Sequence, residues 1–513
     1  MKIDFRYILK VLMVATVLSI GSGCSDFLDD ADPTGLSPDN YFLLPEDAEP
    51  AVNAVYENLR FFSGGAGIFS QNFQLLDALS GTARTETAQN SDLNNLYGFT
   101  YNGDNLHLSQ WWRELYEGVA NANIAIEGIG KIPVMNDTQR KLWLGHAHFL
   151  RAFHYFYLVR MWGDVPLITS PIKDKNDPNM YPSRASVQEV YDVIVSDLLT
   201  AEASGLPAKD EGGRASLGAV KSLLAKVYLT MAGHPLNKGA EYYQKAADKA
   251  NEVIASGTFD LFLTYNDLHL RANKNKREHI FSVQYSDAAN VVNGMQPLLH
   301  PNIKDMSAYE TEIGTTVPTE SFFNSFEPGD RRAIDQQGYF YRSYFRGGTG
   351  TQFDLGNAYI YKHFDREASG APGFPGNSRS DLNWPLLRFA EVLLIYAEAQ
   401  NEVTGPTQPA IDAVKRIRDR AGLATPTLGS VTKEQFRELI WQERWHELCY
   451  EGITFFDMLR LRKVYNEATN SFSDFVGGTT GTGITLQEKH LLLPIPAADF
   501  RNNPNLGTNN PGW

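Results

Sequence analysis

The feature that most constrains this chain is a set of helical stripes that arrive in pairs. Trp143, Ala147, Leu150, His154, Tyr157 and Met161 recur at spacings of four and three, which puts them along one helical face. Val220, Leu223, Val227 and Met231 repeat the pattern, as do Ala410, Ile411, Val414, Ile417 and Ala421. An apolar stripe must be covered, and a neighbouring helix is the simplest cover. The spacing predicts helix-turn-helix units at 216–232 with 239–256 and at 385–403 with 408–421. Residues 109–129 with 138–161 and 432–448 with 450–462 make further pairs. Small residues at Ala225, Ala246, Ala247, Ala397 and Ala413 stand where helices can approach closely. Units of roughly 34 to 40 residues suggest tetratricopeptide-like repeats. The expected fold class is therefore mostly α, a scaffold of such helix pairs with long loop-rich segments and minor β structure.

Local signals fit those boundaries. Ser216 is placed to cap the helix after it, and Gly233, Gly257 and Gly422 each follow a periodic run as left-handed C-terminal caps do. Between the pairs run segments 62–108, 163–186, 260–380 and 463–513, rich in Gly, Asn, Asp, Pro, Tyr and Phe. Ordered loops of that length usually carry function.

The N-terminus is an address rather than part of the fold. Lys2, Arg6 and Lys10 precede an apolar run from Val11 to Ile20, then Gly21-Ser22-Gly23 and Cys24. So short a run cannot span a bilayer, which needs about 20 residues, and the order of basic, apolar and small residues is that of a signal peptide over 1–23. Cys449, the other cysteine, lies in a helical apolar stretch, so a disulfide framework is not expected. The surroundings of Cys24 resemble a lipobox, although Gly21 stands where that pattern usually has leucine. Several acyl chains on one residue would anchor the mature protein to a membrane without spanning it.

Charge narrows the partners. The chain carries net −14, and residues 1–23, with Lys2, Arg6 and Lys10 against Asp4, carry +2, leaving −16 without them. That balance argues against nucleic acid, whose phosphates need a clustered basic surface. It disfavours a polyanionic ligand too, while leaving room for a local basic pocket.

Chemistry finds little support. His446-Glu447 begins like a zinc-protease helix, but Tyr450 occupies the place of the second histidine, so no metal site is expected there. His146 and His148 point to different helix faces and His154 lies on the apolar stripe, as a core histidine does. Glycoside hydrolysis needs two carboxylates flanking a cleft. Glu391 and Glu398 are the best pair by expected burial, yet Arg388 sits one turn before Glu391, and such pairing is usually structural. Cys449 reads as a small packing residue. No cofactor is expected.

Several longer motifs follow in order along the chain: Trp112-Arg-Glu-Leu-Tyr-Glu-Gly-Val-Ala-Asn-Ala-Asn123, Phe149 to Phe156 running into Trp162-Gly-Asp-Val-Pro-Leu167, and Gly213-Arg-Ala-Ser216. Arg388 to Ala399, Arg418-Asp-Arg-Ala-Gly-Leu423, Glu443-Arg444 with Glu447, Phe455 to Arg460 and Leu493-Pro-Ile-Pro496 extend the set. In these motifs the chain resembles the SusD/RagB family of nutrient-binding lipoproteins of the Bacteroidetes. The resemblance implies an N-terminal region over 24–260 and a C-terminal region over 261–513 that form one structural unit. It implies a binding protein with no catalytic activity. Its partner would be a SusC-like TonB-dependent outer-membrane transporter, and its ligand an oligosaccharide, with peptide as the alternative. A tetratricopeptide scaffold for protein assembly is the more distant reading. Lipid on Cys24 would place the chain at the outer membrane, facing the exterior, with Asp26, Asp29 and Asp30 as the surface-export signal.

Sugar recognition combines aromatic faces with amide, carboxylate and guanidinium groups. Arg84, Glu86, Asn94, Asn95, Tyr97 and Phe99 supply that composition in one stretch, at a position where the resemblance implies a ligand loop. A second candidate region is 285–345, with Tyr285, Asn293, Tyr309, Tyr339 and Tyr341.

Overall fold

The structure, a computed structural model, describes residues 41–87, 90–345 and 351–513. Cys24, Asp26, Asp29 and Asp30 lie outside the described residues.

The stripes become helices. α1 (Ala48–Asn58), α2 (Gln74–Ser80) and α3 (Ser91–Tyr97) lead to two long helices, α4 (Leu106–Lys131) and α5 (Asp137–Trp162). Next come α6 (Val187–Glu202), α7 (Leu217–Ala232) and α8 (Ala240–Ala255), and later α9 (Phe389–Thr404), α10 (Gln408–Ala421), α11 (Lys433–Glu447) and α12 (Thr454–Leu461). The side chains of Asn136, Ser186, Ser216, Thr407 and Thr432 each accept a first-turn amide, satisfying donors that have no partner inside the helix. Neighbours pack in sequence: α4 on α5, α5 on α6, α7 on α8, α8 on α9, and α9 on both α10 and α11. At the α4–α5 crossing a Cβ on Gly118 would stand 2.1 Å from His154 Nε2, so only glycine lets these helices meet.

Strands pair only in twos among the described residues. β1 (Ala83–Arg84) lies against β3 (Val317–Pro318), β2 (His279–Val283) against β6 (Trp384–Arg388), and β4 (Phe340–Phe345) against β5 (Gln352–Ile360), all antiparallel. One apolar core runs from Phe42 through Trp111, Tyr155, Leu223 and Leu393 to Leu506, drawing on both halves of the chain. A smaller cluster, including Met306, Tyr341, Tyr344, Tyr359 and Phe364, lies at the β4–β5 hairpin.

Three details differ from the sequence reading. The expected helix at 385–403 begins only at Phe389, because residues up to Arg388 are extended and pair with β2. α6 belongs to none of the expected pairs and packs against α5 and α7. Gly233 is extended, at φ −91° and ψ −161°, not left-handed; a Cβ there would meet the Arg460 carbonyl oxygen at 2.7 Å, so close approach explains the glycine.

The C-terminal half is tied by buried charge. Arg332, Arg388, Arg418, Arg420 and Lys362 face Asp330, Glu278, Glu443, Glu447 and Glu451, five cations against five carboxylates, all almost fully buried. Arg388 does not pair with Glu391 as expected; sitting on β6, it reaches Glu278, Glu447 and Glu451. Glu391 instead meets Lys226 at 2.9 Å, and Glu398 meets Arg460 at 2.5 Å. Removing one member of such a network strands a buried charge, which costs far more than the intact pairs contribute.

Candidate ligand-binding surface

The segment 313–316 gathers much of the polar stretch chosen from sequence. Glu86 N–H donates to the Gly314 carbonyl at 2.8 Å, Thr87 Oγ1 to the Ile313 carbonyl at 2.7 Å, and the Tyr97 hydroxyl to the Thr315 carbonyl at 2.8 Å. Arg84 and Glu86 lie 3.5 Å apart. The carboxylate of Glu86 also takes the Tyr359 hydroxyl at 2.8 Å and the Asn302 amide at 3.2 Å. Arg84 keeps 35 % of its side chain exposed, enough to reach a ligand. On α3, Asn95 accepts from Thr100 at 3.0 Å, while the half-buried Asn94 side chain makes no hydrogen bond.

The rings do not share that exposure. Tyr97 is 7 % and Phe99 5 % exposed, with Phe99 packed against Tyr101 and His490. A ring that stacks on a sugar needs an open face, and burial closes both here. Burial likewise pushes the Tyr97 phenol well above its usual range. Tyr285 is buried and pins two loops by donating to Ser63 Oγ at 2.7 Å. Tyr309, half-buried, stands beside His300 with ring centres 5.9 Å apart. Asn293 holds the Leu382 carbonyl, and Tyr339 and Tyr341 are core. No hydrogen bond or ring contact among the described residues links Tyr285 or Tyr309 to Arg84 or Glu86.

Exposed apolar side chains sit instead on an adjoining turn that the sequence reading missed. Gly65 and Gln71 bridge the base of a tight loop, and Asn90 Nδ2 donates to the Ala66 and Ile68 carbonyls at 3.2 and 3.1 Å. Ile68 is 63 % and Phe69 40 % exposed. Phe69 takes φ +51°, a left-handed conformation that costs a side chain about 1–2 kcal/mol and that recurs at working sites. The signal was present: Gly64, Gly65 and Gly67 interrupt an otherwise apolar stretch without helical period.

This turn adjoins an open groove through Leu106, whose Cδ2 would lie 3.5 Å from a Cβ on Gly67. The groove encloses about 680 Å³ between α4 and segments 166–182 and 498–506. Trp112, buried at 5 % exposure, and Tyr116, whose hydroxyl donates to the Pro166 carbonyl at 2.9 Å, form its wall on α4, and Tyr181, 50 % exposed, offers an open ring from the facing loop. Asn123 and Asn503 hold the walls by donating to the Ile168 and Pro182 carbonyls at 2.9 and 2.8 Å, Arg113 is paired with Glu114 at 2.7 Å, and Asn502 also lines the groove. The lining is mostly apolar, with Ile124, Ile168, Ile172 and Met180 beside these rings, the amides and the Asp499 carboxyl, raised by burial, so it suits a ligand that offers both apolar and hydroxyl faces.

Comparison with known proteins places the chain. A solved SusD-superfamily protein from Parabacteroides distasonis matches with a TM-score of 0.86 and 38 % identity, covering 93 % of this chain and all of that one. The chain belongs to the SusD/RagB family. Residues 314–513 match the family described as the SusD family, and residues 27–229 one described as starch-binding, associating with outer membrane. Among curated relatives, a SusD-like protein, P2, of Formosa agariphila is 28 % identical over 98 % of this chain and 99 % of its own length. The starch-binding protein SusD of Bacteroides thetaiotaomicron is 21 % identical over 98 % and 99 %.

The residues that carry the SusD resemblance are mostly structural. Arg388, Arg418, Arg420, Glu443 and Glu447 build the buried ion network, and Trp162 donates to the Pro494 carbonyl at 3.0 Å, joining two quoted motifs. His446, which opens the stretch that begins like a zinc-protease helix, faces Ser325 Oγ at 3.0 Å, and burial, with Arg332 and Arg418 near it, pushes its pKa far down.

Proposed function

We propose that this protein captures a glycan at the outer face of an outer membrane and hands it to a SusC-like TonB-dependent transporter, held in place by lipid on Cys24. It binds and does not cut. Family membership, the starch-binding relative and the outer-membrane description of the matching family support the class. The observation that carries the reading is the outward Phe69 turn adjoining a largely apolar groove that presents the open Tyr181 ring and the Asn502 amide. An aromatic face covers the C–H side of a sugar, and neighbouring amides and charges serve its hydroxyls.

Affinity electrophoresis on a panel of immobilised glycans tests it. Phe69→Ala and Tyr181→Ala each weaken retention of the preferred glycan by about 1–3 kcal/mol, the worth of one stacked ring. Neither change lowers the melting temperature much, since both rings are substantially exposed. Retention on no glycan, with binding to oligopeptides, moves the ligand class to peptide. Release of shortened oligosaccharides sinks the binding-only reading.

A further inference from the structure

A second pocket, of about 360 Å³, lies between α5, α7, α12 and residues 488–492 and 510–511 of the C-terminal segment. It is basic on a strongly acidic chain. Arg160 from α5, Arg184 and Arg462 all line it, and none has a carboxylate within 4 Å among the described residues. This is unusual here, because the buried arginines of the C-terminal half are all matched by carboxylates.

Arg160 is the most informative. It is 8 % exposed, its guanidinium is sandwiched between the rings of Phe156 and Phe456 at 3.7 and 3.6 Å, and its Nε donates to the Phe156 carbonyl at 2.8 Å. Rings and a carbonyl orient the charge without neutralising it. Arg184 is held by neutral acceptors, the Asp164 and Thr508 carbonyls and Asn510 Oδ1, at 2.6–2.9 Å. Among the described residues the Arg462 side chain makes no hydrogen bond, with Glu488 the acid whose field reaches it, and the Arg462 charge adds to burial in lowering the pKa of His234, which also lines the pocket. The acids that face the pocket are Asp164, engaged with the Val187 amide at 2.9 Å, and Glu488. The remaining walls add Arg460, already paired with Glu398 and Asp457, and Lys489, which sits over the Trp513 ring, together with apolar Val159, Leu459, Leu491 and Leu492.

Uncompensated guanidinium groups set among apolar walls, in a volume within the roughly 300–1,000 Å³ usual for small-molecule sites, call for an anion with an apolar body. We propose that this pocket binds a small organic anion, a carboxylate or sulfate group borne on a ring-sized body, at a site separate from the Phe69 surface. The group would lie between Arg160 and Arg462, with its body against the leucines. The proposal does not depend on the glycan reading.

Calorimetric titration of the full mature chain at low ionic strength, with glucuronate, glucose and inorganic sulfate as probes, decides it. Glucuronate binds saturably at millimolar concentration, glucose does not, and sulfate competes. Arg462→Gln weakens glucuronate binding by about tenfold or more, as loss of a charge-assisted hydrogen bond should. Glu488→Gln tightens it, and Phe69→Ala leaves it unchanged. Arg160→Met should abolish binding, and because that variant could lose stability, the deciding variant is Arg462→Gln, which breaks no internal hydrogen bond. Absence of glucuronate binding, binding of sulfate without glucuronate, or equal affinity in Arg462→Gln overturns the proposal.

Discussion

The Tyr97 hydroxyl donates to the backbone carbonyl of Thr315 at 2.8 Å, fastening α3 to a segment more than two hundred residues along the chain. With its ring 7 % exposed, the side chain is a rivet between the two halves. Tyr97→Ala should therefore cost about 3–5 kcal/mol of folding stability, in the range of Leu393→Ala at about 2–5 kcal/mol in the core of α9. Tyr97→Phe should cost about 0.5–1.5 kcal/mol, the net worth of one hydrogen bond. Urea melts give both numbers. A Tyr97→Ala variant of normal stability that loses its ligand would restore the ring to the binding surface.

Arg388 connects three buried carboxylates, Glu278, Glu447 and Glu451, on separate segments. Arg388→Met leaves those charges short of a partner and should destabilise by about 3–5 kcal/mol. Arg388→Lys should rescue little, because a single ammonium cannot reproduce the fork that serves three acceptors. Denaturant midpoints for both variants check this, and a lysine variant of full stability would contradict the geometry.

These two residues show what sequence could and could not convey. Helix pairs were legible because their apolar stripes repeat locally: α7 to α8 and α9 to α10 fall within a few residues of their expected bounds. Arg388 was legible as a family marker and as a structural partner, but its partners were not, since an extended residue preceding α9 does not follow helical spacing. The ligand rings were harder still. Tyr97 and Phe69 are both aromatic residues in loop-rich sequence, and only the bond to Thr315 and the left-handed turn of Phe69 separate a rivet from an open face. Both depend on chain segments distant in sequence, so composition alone selected a ring that the fold buries.

If Cys24 carries the anchor, Cys24→Ser should abolish acyl labelling and leave the protein soluble or unprocessed, as fractionation after labelling will report. Replacing Asp26, Asp29 and Asp30 with alanine should keep membrane attachment but reduce access to external protease. Labelled, membrane-bound Cys24→Ser protein would contradict the anchor, and unchanged protease access would contradict the export signal.

Four buried carboxyls should shape the pH dependence of stability in two opposite senses. Pairing with Arg388 and Lys362 outweighs the burial that opposes it and lowers Glu451 from 4.5 to about 2; Arg444 and Arg460 likewise lower Asp457 from 3.8 to about 2. Their contribution is present above the unfolded values and is lost as pH falls through the folded ones, so stability should rise from pH 2 to about 4.5. Asp77 and Glu467 act in the opposite sense. Burial raises Asp77 from 3.8 to about 7 and Glu467 from 4.5 to about 7, so the folded state holds protons that the unfolded chain releases. Their contribution is complete below the unfolded values and disappears as pH rises through 7, at about 1.4 kcal/mol per proton and pH unit. Buried histidines pull the other way: burial lowers His107 and His300 to about 3 and His146, His154, His363 and His490 to about 4, so each adds stability as pH rises toward 6.5. The two carboxyls therefore show as a difference between variants: in melting curves, stability of Asp77→Asn with Glu467→Gln, relative to the parent chain, should improve as pH rises from about 4.5 to 7, while the acid limb set by Glu451 and Asp457 is unchanged. A stability difference between the two chains that stays constant over that range would show that neither carboxyl is held protonated.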